Sequence, residues 1–175
     1  MEPYISIILV ILTFAGVFFI GDRWLKLYTK LRSQSERFEI IKDAHKQTLP
    51  VRLQAYERAL IFLERLDFKS LVIRLNRNGM NAKLMQVEMV KAIREEFEHN
   101  LSQQLYLSDG AWSLLVFAKE ESIRIIQTAG GQVGDEASVM EFSAMLFELM
   151  RGLKSNPVKE AISLVKKDMK RKVEI

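Results

Sequence analysis

Glu96 and His99 stand three positions apart in a segment of helical periodicity, which puts a carboxylate and an imidazole on one helix face. Carboxylate-bridged di-iron bundles place two ligands in this way, but they need a second Glu-x-x-His pair and two more inward glutamates. The other histidine, His45, has Lys42 three positions before it, so the second pair is missing. Phe97 takes the face expected to be buried, which makes Glu95, Glu96, Glu98 and His99 a solvated charge cluster. Gly130, Gly131 and Gly134 do not make a phosphate loop, having neither its lysine nor a preceding strand. Gly-x-Ser-x-Gly and a histidine-based triad are absent. The chain has no cysteine, which excludes disulfides, thiolate metal sites and a cysteine nucleophile and accords with a reducing compartment. No catalytic residue, metal or cofactor is therefore expected, and an enzyme with an unfamiliar helical site is the third-ranked reading.

The elements that would have to carry any function start with the first 21 residues. Nineteen consecutive residues, Pro3 to Gly21, carry no charge. At about 1.5 Å per residue such a helix spans about 28 Å, close to the ~30 Å hydrocarbon core of a bilayer. Only Ser6 and Thr13 are polar within it, and Ile5 to Ile20 is apolar on every side. Glu2 replaces the positive n-region of a signal peptide, and no Ala-x-Ala cleavage site follows. A single-pass transmembrane anchor over 1–21 is expected. Arg23, Lys26, Lys30 and Arg32 follow it, and the positive-inside rule then puts the N-terminus outside and the C-terminal bulk in the cytoplasm, at the cytoplasmic (inner) membrane. Tyr4 on one flank and Trp24 with Tyr28 on the other fit interfacial aromatic belts.

Beyond the anchor the periodicity is helical throughout, with no sustained strand alternation. The expected fold is all-α: the membrane helix, a juxtamembrane helix over 22–47, and a cytosolic bundle of about five to six helices over 48–175. In 22–47, Trp24, Leu27, Leu31, Phe38 and Ile41 follow a heptad that Gln34, His45 and Thr48 interrupt. An amphipathic helix folded against its own domain is favoured over a coiled-coil stalk, and homo-oligomerisation is left open. Thr48 and Pro50 read as cap and first turn of a new helix, lined by Leu49, Leu53, Tyr56, Leu60 and Leu63 and ending near Asp67. Ser70–Leu75 is read as a short helix, and Asn76, Asn78 and Gly79 as a turn. Further helices are expected over about 81–107 (Val90, Ile93, Phe97, Leu101, Leu105), from the Ser108–Asp109 cap to Gly130 (Trp112, Leu115, Val116, Ile123, Ile126), from Asp135 to Gly152 (Met140, Ala144, Phe147, Met150), and from the Asn156–Pro157 cap onward (Val158, Ile162, Val165, Met169). The glycine-rich 130–134 stretch is expected as a mobile loop.

The net charge of +4 sits at the ends of the soluble part. Residues 22–46 carry seven basic and four acidic groups, and 159–175 carry six and three. The last helix ends in Lys166, Lys167, Asp168, Met169, Lys170, Arg171 and Lys172. Its lysines suit an anionic membrane surface or simply the helix C-terminal dipole, and nucleic acid is the less favoured partner. Arg23, Lys26, Lys30, Arg32, Lys166, Lys167, Lys170, Arg171 and Lys172 are thus the candidate contacts with the lipid bilayer.

At RLQAYERALIFLERL, Arg52 to Leu66, the chain resembles an uncharacterised bacterial family of small single-pass membrane proteins with a cytosolic helical domain. The resemblance implies topology and no activity or binding residue. Tyr56 and Arg52 are its marked positions, although packing and a buried tyrosine hydroxyl bond account for them equally well. The expected function is a membrane-tethered scaffold or accessory subunit that binds a partner protein near the bilayer. The alternative is a basic helical module that binds anionic lipid or nucleic acid.

Overall fold

The computed structural model describes the backbone of residues 2–173, and their side chains except at 2–15, 31, 33–38, 40–43, 45 and 173. In chain order it contains α1 (Glu2–Arg65), α2 (Phe68–Leu75), α3 (Ala82–Glu98), a 3-10 turn (Leu101–Leu105), α4 (Asp109–Val133), α5 (Val139–Gly152) and α6 (Pro157–Val173). Among the described residues there is no strand beyond an isolated antiparallel bridge between Asn81 and Ser138, so the fold is all-α as expected. The chain divides into two compact units, residues 1–48 and 49–175.

One expectation about α1 changes. The new helix foreseen at Thr48 does not start there, because α1 runs through Pro50 to Arg65. The Thr48 hydroxyl donates back to the Ala44 carbonyl, 3.0 Å away, where an N-cap would instead accept from a backbone N–H ahead of it. Proline in a helix interior has no N–H to donate, so α1 lacks the backbone hydrogen bond from position 50 to position 46. Trp24, Leu27 and Tyr28 are 56–70% exposed. Among the described residues no helix is long and apolar enough to cross a membrane, and the anchor foreseen over 1–21 gains no support there. Residues 1–15, with Tyr4, and Leu31, Gln34, Phe38, Ile41 and His45 of the heptad lie outside the described side chains.

The second unit is built around α4, which packs against α3, α5 and α6. Its buried face runs Ala111, Leu115, Ala118, Ser122, Ile125, Ile126, Ala129 and Gly130, at steps of three and four. The small residues in that row let neighbouring helices come close. The end of α1 contributes Ala55, Tyr56, Ala59, Phe62, Leu63 and Leu66, α3 adds Met85, Met89 and Ile93, α5 adds Phe142 and Leu146, and α6 adds Val158, Ala161 and Val165. Burying a side chain of the size of Phe62, Leu115 or Phe142 stabilises by about 1.5–3 kcal/mol. Some foreseen faces are rotated: Leu101, Leu105, Met140 and Phe147 are exposed, and Leu53 points away from the core. The α6 stripe is as foreseen, with Ile162 and Met169 packed on the core beside its buried residues.

Most helix starts carry the expected caps. Asp67, Asn81, Ser108 and Ser138 each accept a backbone N–H with the side chain, and Asn156 Oδ1 accepts from Val158 N and Lys159 N. The helix foreseen from Asp135 begins instead at Val139, where Ser138 and Glu141 form a capping box. Residues 135 and 137 are used to fasten the start of α3, their carbonyls accepting from Lys83 N and Ala82 N at 3.3 and 2.7 Å.

The glycine-rich stretch is the other correction. Gly130 and Gly131 are helical, and α4 ends only at Gly134, whose φ of 80° and ψ of 165° suit glycine. A Cβ at Gly130 would meet the Gln86 side chain at 2.5 Å, whereas at Gly131 nothing lies within 4 Å. Gly131→Ala should therefore stabilise the chain by about 0.5–1 kcal/mol through helix propensity. Gly134→Ala should destabilise it by about 1–3 kcal/mol through the strained φ. Denaturant midpoints of the two variants, shifted in opposite directions at constant slope, check the pair.

Candidate functional site

The basic C-terminal run forms the outer side of α6. Val158, Ala161 and Val165 turn inward, and Lys166, Lys167, Lys170 and Arg171 are exposed while Lys172 is half-buried. Arg171 is not an unengaged cation, because its guanidinium donates to Asp168 Oδ1 at 2.7 Å. The apolar side of α6 is spent in the bundle core, which leaves lysines and not an amphipathic face for any surface that meets this helix. With Gly110, Ala111 and Leu114 at the start of α4, the residues Leu164, Lys167, Asp168, Lys170 and Arg171 form a shallow, open groove.

Asp168, an acid within this basic run, has a role that its neighbours hide. It falls three positions after Val165, in register with the buried face, and its side chain is only 12% exposed. Its Oδ2 accepts the Tyr56 hydroxyl at 2.6 Å and the Ser108 hydroxyl at 2.5 Å. Ser108 Oγ in turn accepts Ala111 N at 3.1 Å, so one hydroxyl caps α4 and fastens α6. Burial pushes the Asp168 carboxyl upward, but hydrogen bonds from Ser108, Tyr56 and Arg171 and the Arg171 charge outweigh it and hold the carboxyl below its ordinary value. Burial, then the bond to Asp168, raises the Tyr56 phenol above 10.0, with Ser108 opposing. Three helices meet at one carboxylate. Tyr56 thus has the buried hydroxyl bond that its sequence position allows for.

The Glu-x-x-His pair separates in use. Glu96 Oε1 receives Arg65 Nη1 at 2.6 Å, joining α3 to the end of α1, while His99 is exposed. Among the described residues no cluster of His, Asp or Glu could hold a metal. Phe97 lies between Phe62 and Trp112, with ring centroids 5.7 and 5.2 Å away, and Lys119 Nζ stands 4.4 Å above its centroid. Trp112 packs here half-buried.

The remaining candidate cations belong to the first unit. Arg23, Lys26, Lys30 and Arg32 are exposed, and Lys26 pairs with Asp22 at 2.6 Å. Arg23, Lys26 and Lys30 come together along α1 with Phe19, Ile20, Trp24 and Leu27, so basic and apolar groups share one side of the helix over about three turns.

The Asp168 junction makes a stability prediction with a defined pH sign. Tyr56→Phe should cost about 1–2 kcal/mol, because Ser108 and Arg171 still satisfy the carboxylate, and Asp168→Ala more, because the phenol is left buried and unpaired. Asp168 holds its proton less readily folded than unfolded, so its contribution is complete above its ordinary value of 3.8 and is lost as pH falls below it. Tyr56 has the opposite sign, its contribution being lost as pH rises past 10.0. Unfolding free energies measured from neutral into acid pH should therefore converge for the wild type and Asp168→Asn.

Comparison with known proteins adds one relation. No curated protein and no solved structure matches the chain. A family of unknown function, DUF7935, matches over residues 2–172, a span that takes in both compact units. This agrees with the uncharacterised family that Arg52–Leu66 suggests and brings no activity with it. The chain belongs to the DUF7935 family of unknown function.

Proposed function

We propose that this protein is a membrane-tethered helical adaptor: the first turns of α1 anchor it, and its bundle holds a partner protein near the bilayer in a binding role, not a catalytic one. The observation that carries the reading is the bare girth of α1 at Val17, Phe18, Phe19 and Ile20, each 66–79% exposed. Four consecutive residues turn through about 100° each, so together they face every direction around the helix. A partner helix covers one face; a bilayer covers all of them. The charge-free run from Pro3 extends this surface to membrane length, and Arg23, Lys26, Lys30 and Arg32 set the bundle on the cytoplasmic side. For the partner, support comes from the groove between α3 and α4, where Val87 and Val90 lie among Lys83, Lys91, Arg94, Glu95 and Glu98.

Lysine in place of Ile11, near the middle of the charge-free run, should cost about 2.5–3.5 kcal/mol of insertion. The wild type should stay with membranes through an alkaline carbonate wash, the Ile11→Lys chain should be released, and a reporter fused after Ile175 should be cytoplasmic. Wild-type protein in the supernatant, or an external reporter, would refute the tether.

The second reading, direct contact with anionic lipid or nucleic acid, has the outward lysines of α6 in its favour. Because that helix offers no spare apolar face, adsorption would be electrostatic, about 1 kcal/mol for each nearby Lys or Arg, and screened as the Debye length falls to about 8 Å at 0.15 M salt. Residues 49–175 should accordingly pellet with acidic vesicles at low salt only. Replacement of Lys166, Lys167, Lys170, Arg171 and Lys172 by glutamine should abolish pelleting, and equal pelleting of both proteins would end this reading.

A further inference from the structure

Ser122 lies on the buried face of α4 with no exposed surface, and its Oγ has no hydrogen-bond partner. Other helical hydroxyls return to the carbonyl four residues back, one of them on α4 itself: Ser143 to Val139 at 2.7 Å, Thr128 to Arg124 at 2.9 Å, and Thr48 to Ala44 at 3.0 Å. Ser122 does not, and a buried polar group without a partner calls for an explanation.

Its surroundings supply one. Ser122 lines a partly enclosed pocket of about 190 Å³ whose apolar walls include Leu63, Phe68, Phe147, Met150 and Ile162. Of the polar groups at the mouth, Glu64, Lys69 and Lys159 are exposed to solvent, while Asp67 Oδ2 accepts from Ser70 N and Oγ and Asn156 Oδ1 accepts from two amides of α6. Ser122 is thus the one wholly buried polar group in the lining. Water is a poor occupant, since a buried water needs two to four polar partners and the walls offer little beyond this hydroxyl. A cavity of about 150 Å³ lined by aliphatic and aromatic side chains takes benzene, so this pocket has room for roughly seven to ten non-hydrogen atoms. Phe68, Phe147 and Met150 favour an aromatic ring, through ring and thioether contacts. At the buried end, away from the exposed Glu64, Lys69 and Lys159, a charged group would be stripped of water beside a neutral hydroxyl, so the part of the occupant that meets Ser122 is uncharged.

We propose that this pocket binds a small uncharged aromatic molecule with one hydroxyl group, its ring between Phe68, Phe147 and Met150 and its hydroxyl paired with Ser122 Oγ. The proposal is independent of the membrane tether, since every lining residue belongs to the second unit.

The test uses the full chain with isotope-labelled methionine methyl groups, p-cresol as the probe and p-xylene as its isostere without the hydroxyl. Met150 lines the pocket and is assigned through Met150→Leu; Met140, on the exposed side of α5, serves as the control. The Met150 signal should shift saturably with p-cresol while that of Met140 stays still. Ser122→Ala should weaken p-cresol about tenfold, the worth of one neutral hydrogen bond, and leave p-xylene within about threefold. Ile162→Phe, which fills the pocket from α6, should abolish both. A Met150 signal indifferent to both probes overturns the proposal, as does p-cresol binding that Ser122→Ala leaves unchanged. Retained methyl dispersion shows that a variant is folded; Ser122→Ala decides whether the hydroxyl pairs with Ser122, and Ile162→Phe decides whether the probes occupy this pocket.

Discussion

A single carboxylate sets the register of the bundle. Asp168 accepts hydroxyls from residues 112 and 60 positions away in the chain, and so ties α6 to α1 and to the cap of α4. A buried carboxylate is costly unless its lone pairs are used, and here two hydroxyls and a guanidinium use them. The constraint works in both directions. If α6 slipped by one residue, Asp168 would leave both hydroxyls, and Val158, Ala161 and Val165 would rotate out of the core together. Polar satisfaction and apolar packing therefore choose the same register, the kind of agreement between levels that singles out one native state.

The helix starts were the most legible part of the fold, because a cap is decided within four residues. Ser108, Asn156 and Pro157 stand where their side chains, or the missing N–H of proline, meet the free amides of a first turn. The stops were less legible. Thr48 and Pro50 satisfy the local requirements of a helix start, yet threonine can equally return its hydroxyl to the turn behind it, and here it does. Gly130 and Gly131 read as a break because glycine weakens an isolated helix by about 1 kcal/mol, but the packing of α4 against three neighbours exceeds that penalty. Gly130 moreover sits where the Gln86 side chain closes in, a tertiary fact with no local trace. The rotated stripes have a related origin. Val90 and Ile93 continue only to Phe97, since α3 stops at Glu98 and Leu101 and Leu105 fall in a 3-10 turn of different period.

The polar site was harder to read than the fold. The basic run at the C-terminus drew attention to charge, while the residue that organises it is the acid in its middle. One signal was available: Asp168 falls three residues after Val165 and within one turn of Met169, a carboxylate in an apolar register. Tyr56 could be singled out by type, but Ser108 was legible only as a cap, because its second bond reaches a residue 60 positions away. Ser122 shows the same limit. Its short side chain among Ala118, Ile125 and Ala129 passes for one more small core residue, and only the packed helices show that its hydroxyl has no partner.

The two units follow opposite rules of burial. In residues 49–175 the helices bury one apolar face each against the others, and the outer side of α6 is mostly basic and polar, with Leu164 its one exposed large apolar side chain. In the described part of residues 1–48 the large side chains from Val17 to Ile20, with Trp24, Leu25, Leu27 and Tyr28, are all left uncovered. Soluble monomers seldom expose contiguous apolar surface beyond a few hundred Å². This surface circles the helix, and basic residues join its apolar ones only from Arg23 onward. The asymmetry separates the two units: the second is held by its own core, whereas the large apolar side chains described in the first are left exposed.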